Sequence, residues 1–161
     1  MALRDFDRGL NARGRKGAAL MGAHIADHGA KWNIALASPA ERVRRTLDAS
    51  GLQMPVTFDD RIYLADSTSL LEILGQVDDS NQAVLLVGHN PGLHDLALEL
   101  ISTHDDSPLL REIAAKFPTA AFAVLELDIA RWADVELGCG RLVHFARPRD
   151  FDPELGPERS W

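Results

Sequence analysis

Arg42 and His89 are the residues of this chain best suited to hold an anion. Arg42 closes the run Ser38-Pro39-Ala40-Glu41-Arg42, just after a short apolar stretch and a Ser-Pro turn. His89 lies in Val87-Gly88-His89-Asn90-Pro91-Gly92, where the apolar run Ala83 to Val87 gives way to a helical pattern. A guanidinium stays charged near neutral pH and grips two oxygens of a phosphate at once. A histidine can donate to a phosphoryl oxygen and stabilise charge that develops during transfer. Gly88 allows close backbone approach, and Pro91 presets a helix start. At the carboxyl ends of parallel strands, both segments would face the crevice where open α/β sheets bind ligands, with helix N-termini aimed at the same place. The chemistry is that of a phosphate site. The competing readings are a solvated Arg42, since Arg44 and Arg45 are close by, and a His89 that only caps its junction.

Other reactive residues point elsewhere. His24 and His28, four apart on one helix face, could bind a metal in principle. They have no evident carboxylate or cysteine partner and are expected to be a solvated pair. His94 and His104 are expected at the rim or surface, and His144 on a late strand. Ser38 lacks the Gly-x-Ser-x-Gly surroundings of a nucleophile and is expected to shape its turn. Gly9, Gly14 and Gly17 form neither a P-loop nor a dinucleotide fingerprint. Arg4, Arg8, Arg13, Arg15 and Lys16 form a basic cluster expected to be solvated. No metal and no cofactor are expected.

The elements that must position Arg42 and His89 are legible from periodicity. Gly14 to Gly29 predicts a helix with Ala18, Met21 and Ile25 on its apolar face, thinned by Gly22. Asn33 to Ala37 predicts a buried strand, and Pro39 opens a helix that Ser50-Gly51 ends. Pro55 to Phe58 predicts a short strand. Ser67 to Val77 predicts a helix capped by Ser67 or Thr68. Ala83 to Val87 has the composition of a parallel strand buried on both faces. Helices over 91–101 and 109–116 follow, then strands over 120–127 and 141–145. The alternation predicts a three-layer α/β/α sandwich with a mostly parallel sheet.

The 161 residues suffice for one domain with a proper core, followed by a tail from 149 to 161. Hydrophobic residues are 46% and charged residues 25%, ordinary for a globular chain, and the net charge of −7 disfavours non-specific nucleic-acid binding. The lone Cys139 excludes an internal disulfide and fits a reducing compartment. No run is long enough to span a membrane, and the charged start does not resemble a signal peptide. A cytoplasmic location is expected.

Four segments, in order, carry a resemblance. They are Arg8-Gly9-Leu10-Asn11-Ala12-Arg13-Gly14, Ser38 to Thr46, Val84 to Leu93, and Phe117-Pro118-Thr119-Ala120-Ala121. Together they resemble the histidine phosphatase superfamily, and within it the small SixA-type phosphohistidine phosphatases, from about Leu3 to Pro148. The resemblance implies phosphate binding by Arg42, His89 and Arg8, with His89 catalytic. It implies metal-independent hydrolysis through a phosphohistidine on the enzyme. One departure is large. The family's Arg-His-Gly or Arg-His-Ala motif, which ends the first, central strand and supplies the nucleophile, is absent from the chain as given. Gly9 also stands where relatives carry proline.

Between Arg42 and His89 there is no room for the cap domain of larger relatives, and Arg61-Ile62-Tyr63-Leu64-Ala65 contains no glutamate to act as general acid. An open site and an easily departing imidazole suit a phosphohistidine-bearing protein, with a small phosphorylated substrate as the alternative. Two roles fit: a phosphatase whose chain as given lacks its nucleophile and is inactive or nearly so, or a non-catalytic phosphate- or phosphoprotein-binding pseudophosphatase.

Overall fold

Local chemistry explains where the elements begin. In the computed structural model, which describes residues 4–156, helix α1 (Ala12–Asp27) starts two residues before the Gly14 that periodicity predicts. The cause is Asn11, whose Oδ1 accepts from the Gly14 amide at 2.8 Å. Strand β1 (Ile34–Ala37) leads through Ser38-Pro39 into α2 (Glu41–Ser50), which Gly51 ends in the left-handed conformation at φ +69°. Strand β2 is Val56–Phe58, and α3 is Ser67–Gly75. The α3 cap is Asp66 rather than Ser67 or Thr68: its carboxylate accepts from the Ser69 amide at 2.8 Å. Strand β3 (Val84–Val87) turns into α4 (Gly92–Leu100), and α5 is Leu109–Ala115. Strands β4 (Phe122–Leu127) and β5 (Gly140–Ala146) complete the fold.

The architecture is the expected α/β one, but the sheet is in two pieces. One piece is parallel, in the order β2-β1-β3, and the other is the antiparallel pair β4-β5. Alternation along the strands feeds two apolar layers. Ala35, Leu85 and Phe122 meet Met21 and Ile25 of α1 on one face. Leu36 meets Leu70, Ile73 and Leu74 of α3 and Leu96 and Leu100 of α4 on the other. The β4–β5 register slips between Val124 and Leu125, which sets Val143 out of the pairing. Leu142 and Phe145 then both reach Ala97, Ile101 and Ile113.

Gly22 has a role that periodicity does not show. A Cβ there would lie 2.1 Å from the Ser50 carbonyl oxygen, so α1 and α2 pack backbone to backbone at this point. Residues after β5 return to α1. Lys16 pairs with Asp152 at 2.6 Å, Arg13 donates to the Glu154 and Gly156 carbonyls, and Pro148 is buried. That part of the basic cluster fastens the chain end instead of standing free in solvent.

Candidate active site

Strands β1 and β3 are neighbours, so their carboxyl ends lie side by side, and the Ser38 amide donates to the Val87 carbonyl at 3.0 Å just beyond the ladder. This bond places the Ser-Pro turn against the Gly-His turn. Arg42, in the first turn of α2, donates from Nη2 to His89 Nδ1 at 3.1 Å. A guanidinium has no lone pair to offer, so Nδ1 is the acceptor and the proton sits on Nε2. Nε2 is 2.7 Å from the Ser38 hydroxyl oxygen, to which it donates, and the same oxygen accepts from the Ala40 amide at 3.2 Å. Ser38 therefore shapes its turn, as expected, and also holds the imidazole. It is fully buried, and His89 is 8% exposed. Burial first, and then the Arg42 charge, hold the His89 imidazole below its ordinary range. The ring is neutral at pH 7, with a bare nitrogen facing the arginine.

Two neighbours were not legible in the sequence. Asp5 accepts from Arg42 Nη1 through its carbonyl at 3.0 Å, and its carboxylate pairs with the same nitrogen at 3.1 Å. Tyr63 donates its hydroxyl to the Asp5 carboxylate at 2.6 Å and meets the His89 ring edge-on, with centroids 5.3 Å apart. The Tyr63 hydroxyl is the main cause that holds the Asp5 carboxyl below the usual range, helped by Arg42 and by the charge of Arg8. Arg8 itself is exposed, and its charge acts on Asp5. No local pattern marks Asp5 or Tyr63, because their partners are 37 and 58 residues away. Thr46 back-bonds from its hydroxyl to the Arg42 carbonyl at 2.7 Å. Asn90 donates from its side chain to the Phe117 carbonyl at 2.7 Å, tying the histidine turn to the Phe117-Pro118 segment.

Of the remaining histidines, His104 is exposed and His144 lies on β5, both as expected, whereas the pair on α1 departs from expectation. His24 and His28 are not a solvated pair: both pack on His144 of β5, with centroids 4.9 Å away in each case, and His24 Nε2 is 2.7 Å from His144 Nε2. The apolar surround of Phe122 and Phe151 draws them in. His94 is half-buried, stacks on Phe117 and donates from Nε2 to the Ile113 carbonyl at 2.6 Å. Among the described residues no group of three or more His, Cys, Asp or Glu could hold a metal, and no helix is long and apolar enough to cross a membrane.

Comparison with known proteins places this geometry in a family. No family model matches the sequence. An uncharacterized protein of Mycobacterium tuberculosis is 37% identical over 146 residues, covering 90% of this chain and 92% of its own length. An uncharacterized protein of Mycobacterium leprae is 34% identical over 145 residues, covering 90% and 89%. Among solved structures, a protein of Nakamurella multipartitia assigned as phosphohistidine phosphatase SixA superposes with a TM-score of 0.83 at 28% identity, over 92% of this chain and 89% of that one. Its counterpart from Agrobacterium tumefaciens, with the same assignment, gives 0.74 at 30% identity, over 91% and 88%. The fold is also that of the protein histidine phosphatase SixA complexed with tungstate, at a TM-score of 0.73 and 20% identity. The chain belongs to the SixA family and has its α/β histidine phosphatase fold.

Proposed function

We propose that the Arg42–His89 crevice receives the phosphoryl group of a phosphohistidine carried by another protein, in the metal-independent reaction of a histidine phosphatase. The observation that carries this reading is the contact between Arg42 and His89, 47 residues apart, at the carboxyl ends of two adjacent parallel strands. An incoming phosphoryl group displaces the Asp5 carboxylate from Arg42, whose fork then holds two oxygens. The added negative charge beside Nδ1 favours the protonated imidazole, which donates to a third oxygen while Ser38 keeps the ring oriented through Nε2. In the reaction that the family resemblance implies, a histidine nitrogen attacks phosphorus as the bond to the substrate imidazole breaks. Water then releases phosphate from the enzyme. The short loop from Asp59 to Asp66 leaves the crevice without a cap domain, which suits a protein-borne substrate.

The 161 residues contain no Arg-His pair to supply the attacking nitrogen. Loss of a covalent nucleophile costs several powers of ten in rate, by analogy with hydrolase knockouts. Purified Met1–Trp161 is therefore expected to bind inorganic phosphate, measured by calorimetry, and to release none from a phosphohistidine protein in the presence of a chelator. In Arg42→Ala, phosphate affinity is expected to fall at least about tenfold, on the scale of a lost charge-assisted bond. Metal-independent release by Met1–Trp161, or an unchanged affinity in Arg42→Ala, overturns the reading. A pseudophosphatase role uses the same crevice. It predicts binding without turnover for the native protein isolated from its own cells.

A further inference from the structure

The loop that follows β2 forms a bracket over the histidine turn. Ile62, fully buried, lies against Gly88: a Cβ on that glycine would come 3.0 Å from Ile62 Cγ2. Ala65 presses its carbonyl onto Gly92, where a Cβ would run into the oxygen. Between these anchors Tyr63 sets its ring on His89 and its hydroxyl on Asp5. Phe6 meets Tyr63 edge-on, with centroids 5.0 Å apart, so this rim of the crevice is aromatic. Leu64, the next residue, is 58% exposed. It also holds φ at +52°, and among the described residues Ala120 is the only other non-glycine residue with a positive φ. That conformation crowds the leucine Cβ against the backbone, and asparagine, aspartate or glycine adopts it more readily. The bracket imposes it: buried Ile62, the Ala65 carbonyl on Gly92 and the Asp66 cap on α3 fix the chain on both sides. An apolar side chain on a strained backbone and largely in water adds little to the fold. Strain kept in this way clusters at ligand clamps, and the bracket stands on the crevice.

We propose that Leu64 is a specificity-determining contact, which receives an apolar side chain of the phosphohistidine-bearing protein close to the phosphorylated residue. This inference rests on the phosphate reading of the crevice and adds which carriers that crevice prefers. The Tyr63 and His89 ring centroids are 5.3 Å apart, and Leu64 follows Tyr63 by one step of about 3.8 Å along the chain. Free phosphate is held at Arg42 and His89 and ends there. A chain that continues past the phosphorylated residue crosses Tyr63, and a residue within about three positions covers the roughly 10 Å to Leu64. The carboxylates on either side of the bracket are already engaged, Asp59 by Arg61 and Asp66 by the Ser69 amide. What Leu64 itself presents is therefore apolar area in water. An apolar side chain laid on it removes that area from water, and a polar one at the same place does not gain this term.

The test uses Met1–Trp161 and short peptides with a non-hydrolysable triazole phosphonate analogue of phosphohistidine at the centre. Leucine, or asparagine in its place, is walked through the three positions on each side in a Gly-Ser background, and affinities are read by calorimetry. At one or more positions the leucine peptide is expected to bind about fivefold more tightly than its asparagine counterpart, the scale of partly burying two apolar side chains. Leu64→Asn suits the left-handed backbone and removes the apolar side chain, so the ratio is expected to fall below about twofold, whereas Leu64→Met keeps it. Inorganic phosphate is expected to bind all three proteins equally, and the Tm of Leu64→Asn is expected to equal or exceed that of the parent chain. Equal affinity for leucine and asparagine peptides in the parent, or a preference that survives Leu64→Asn, overturns the inference. So does a protein that binds inorganic phosphate but no peptide, and so does a lowered Tm in Leu64→Asn, which would make Leu64 a packing residue. Failure of the phosphate reading looks different: inorganic phosphate affinity is then unchanged in Arg42→Ala, whatever the peptides show.

Discussion

Asp5 occupies the position on Arg42 that an anionic ligand needs, and this makes it the most informative single residue to change. In Asp5→Asn the guanidinium loses a competing carboxylate and the crevice loses a negative charge. Inorganic phosphate is then expected to bind about two- to fivefold more tightly at low salt, with the gain shrinking at high salt because exposed ion pairs are weak and screened. Calorimetric titration at two ionic strengths checks this, and a weaker affinity at both would mean that Asp5 organises the site instead of competing within it. Ser38 acts through His89. In Ser38→Ala, Nε2 loses its buried acceptor, and the imidazole is free to turn from Arg42. Phosphate affinity is expected to fall about threefold or more, on the scale of a net hydrogen bond, with Arg42 still present. Arg42 and His89 were legible because each sits in a strand–turn–helix pattern written in adjacent residues. Asp5 and Tyr63 were not, because a short acidic turn and an isolated tyrosine carry no mark of the partners that folding gives them.

At the scale of elements, α1 packs closely on α2, the helix that carries Arg42. Gly22 is a point of close approach, and any side chain there meets the Ser50 backbone, which cannot swing away. Gly22→Ala is expected to destabilise the fold by about 1–3 kcal/mol, as overpacking does, in spite of the better helix propensity of alanine. For a chain of this size that corresponds to roughly 2–4 °C of Tm per kcal/mol in a thermal melt. An unchanged or raised Tm would show that the helices separate without cost. The helix and strand patterns were legible because periods of 3.6 and 2 report which faces are apolar. The two-residue shift at the start of α1 and the Asp66 cap on α3 were set by single side-chain bonds that compete with the apolar stripe.

The whole molecule carries a pH dependence with a definite sign. Burial holds both His89 and His144 below the ordinary imidazole range, with Arg42 adding to the first and the His24 and His28 charges to the second. Between the folded values and about 6.5, the unfolded chain binds more protons than the folded one. The stability from keeping these rings neutral is complete above about pH 6.5 and is lost as the pH falls toward the folded values. The urea midpoint is therefore expected to be lower at pH 5.5 than at 7.5, a window above the carboxylate titrations, and the difference is expected to narrow in His144→Leu. An equal or higher midpoint at pH 5.5 in the parent chain would contradict this. His144 lies 120 residues from His24, so the sequence, which shows only the pair on α1, pointed to solvent.

What the sequence alone determined is the order and kind of the elements, the α/β class, and the two turns that hold Arg42 and His89. All of these are set by residues within a few positions of one another. What only the tertiary structure decided is which distant groups meet. It brought Asp5 and Tyr63 onto Arg42, put His144 against His24 and His28, and left the sheet in two pieces. Strand composition reports how apolar each face is, but pairing depends on which strands lie side by side, and that is settled only when all the layers pack.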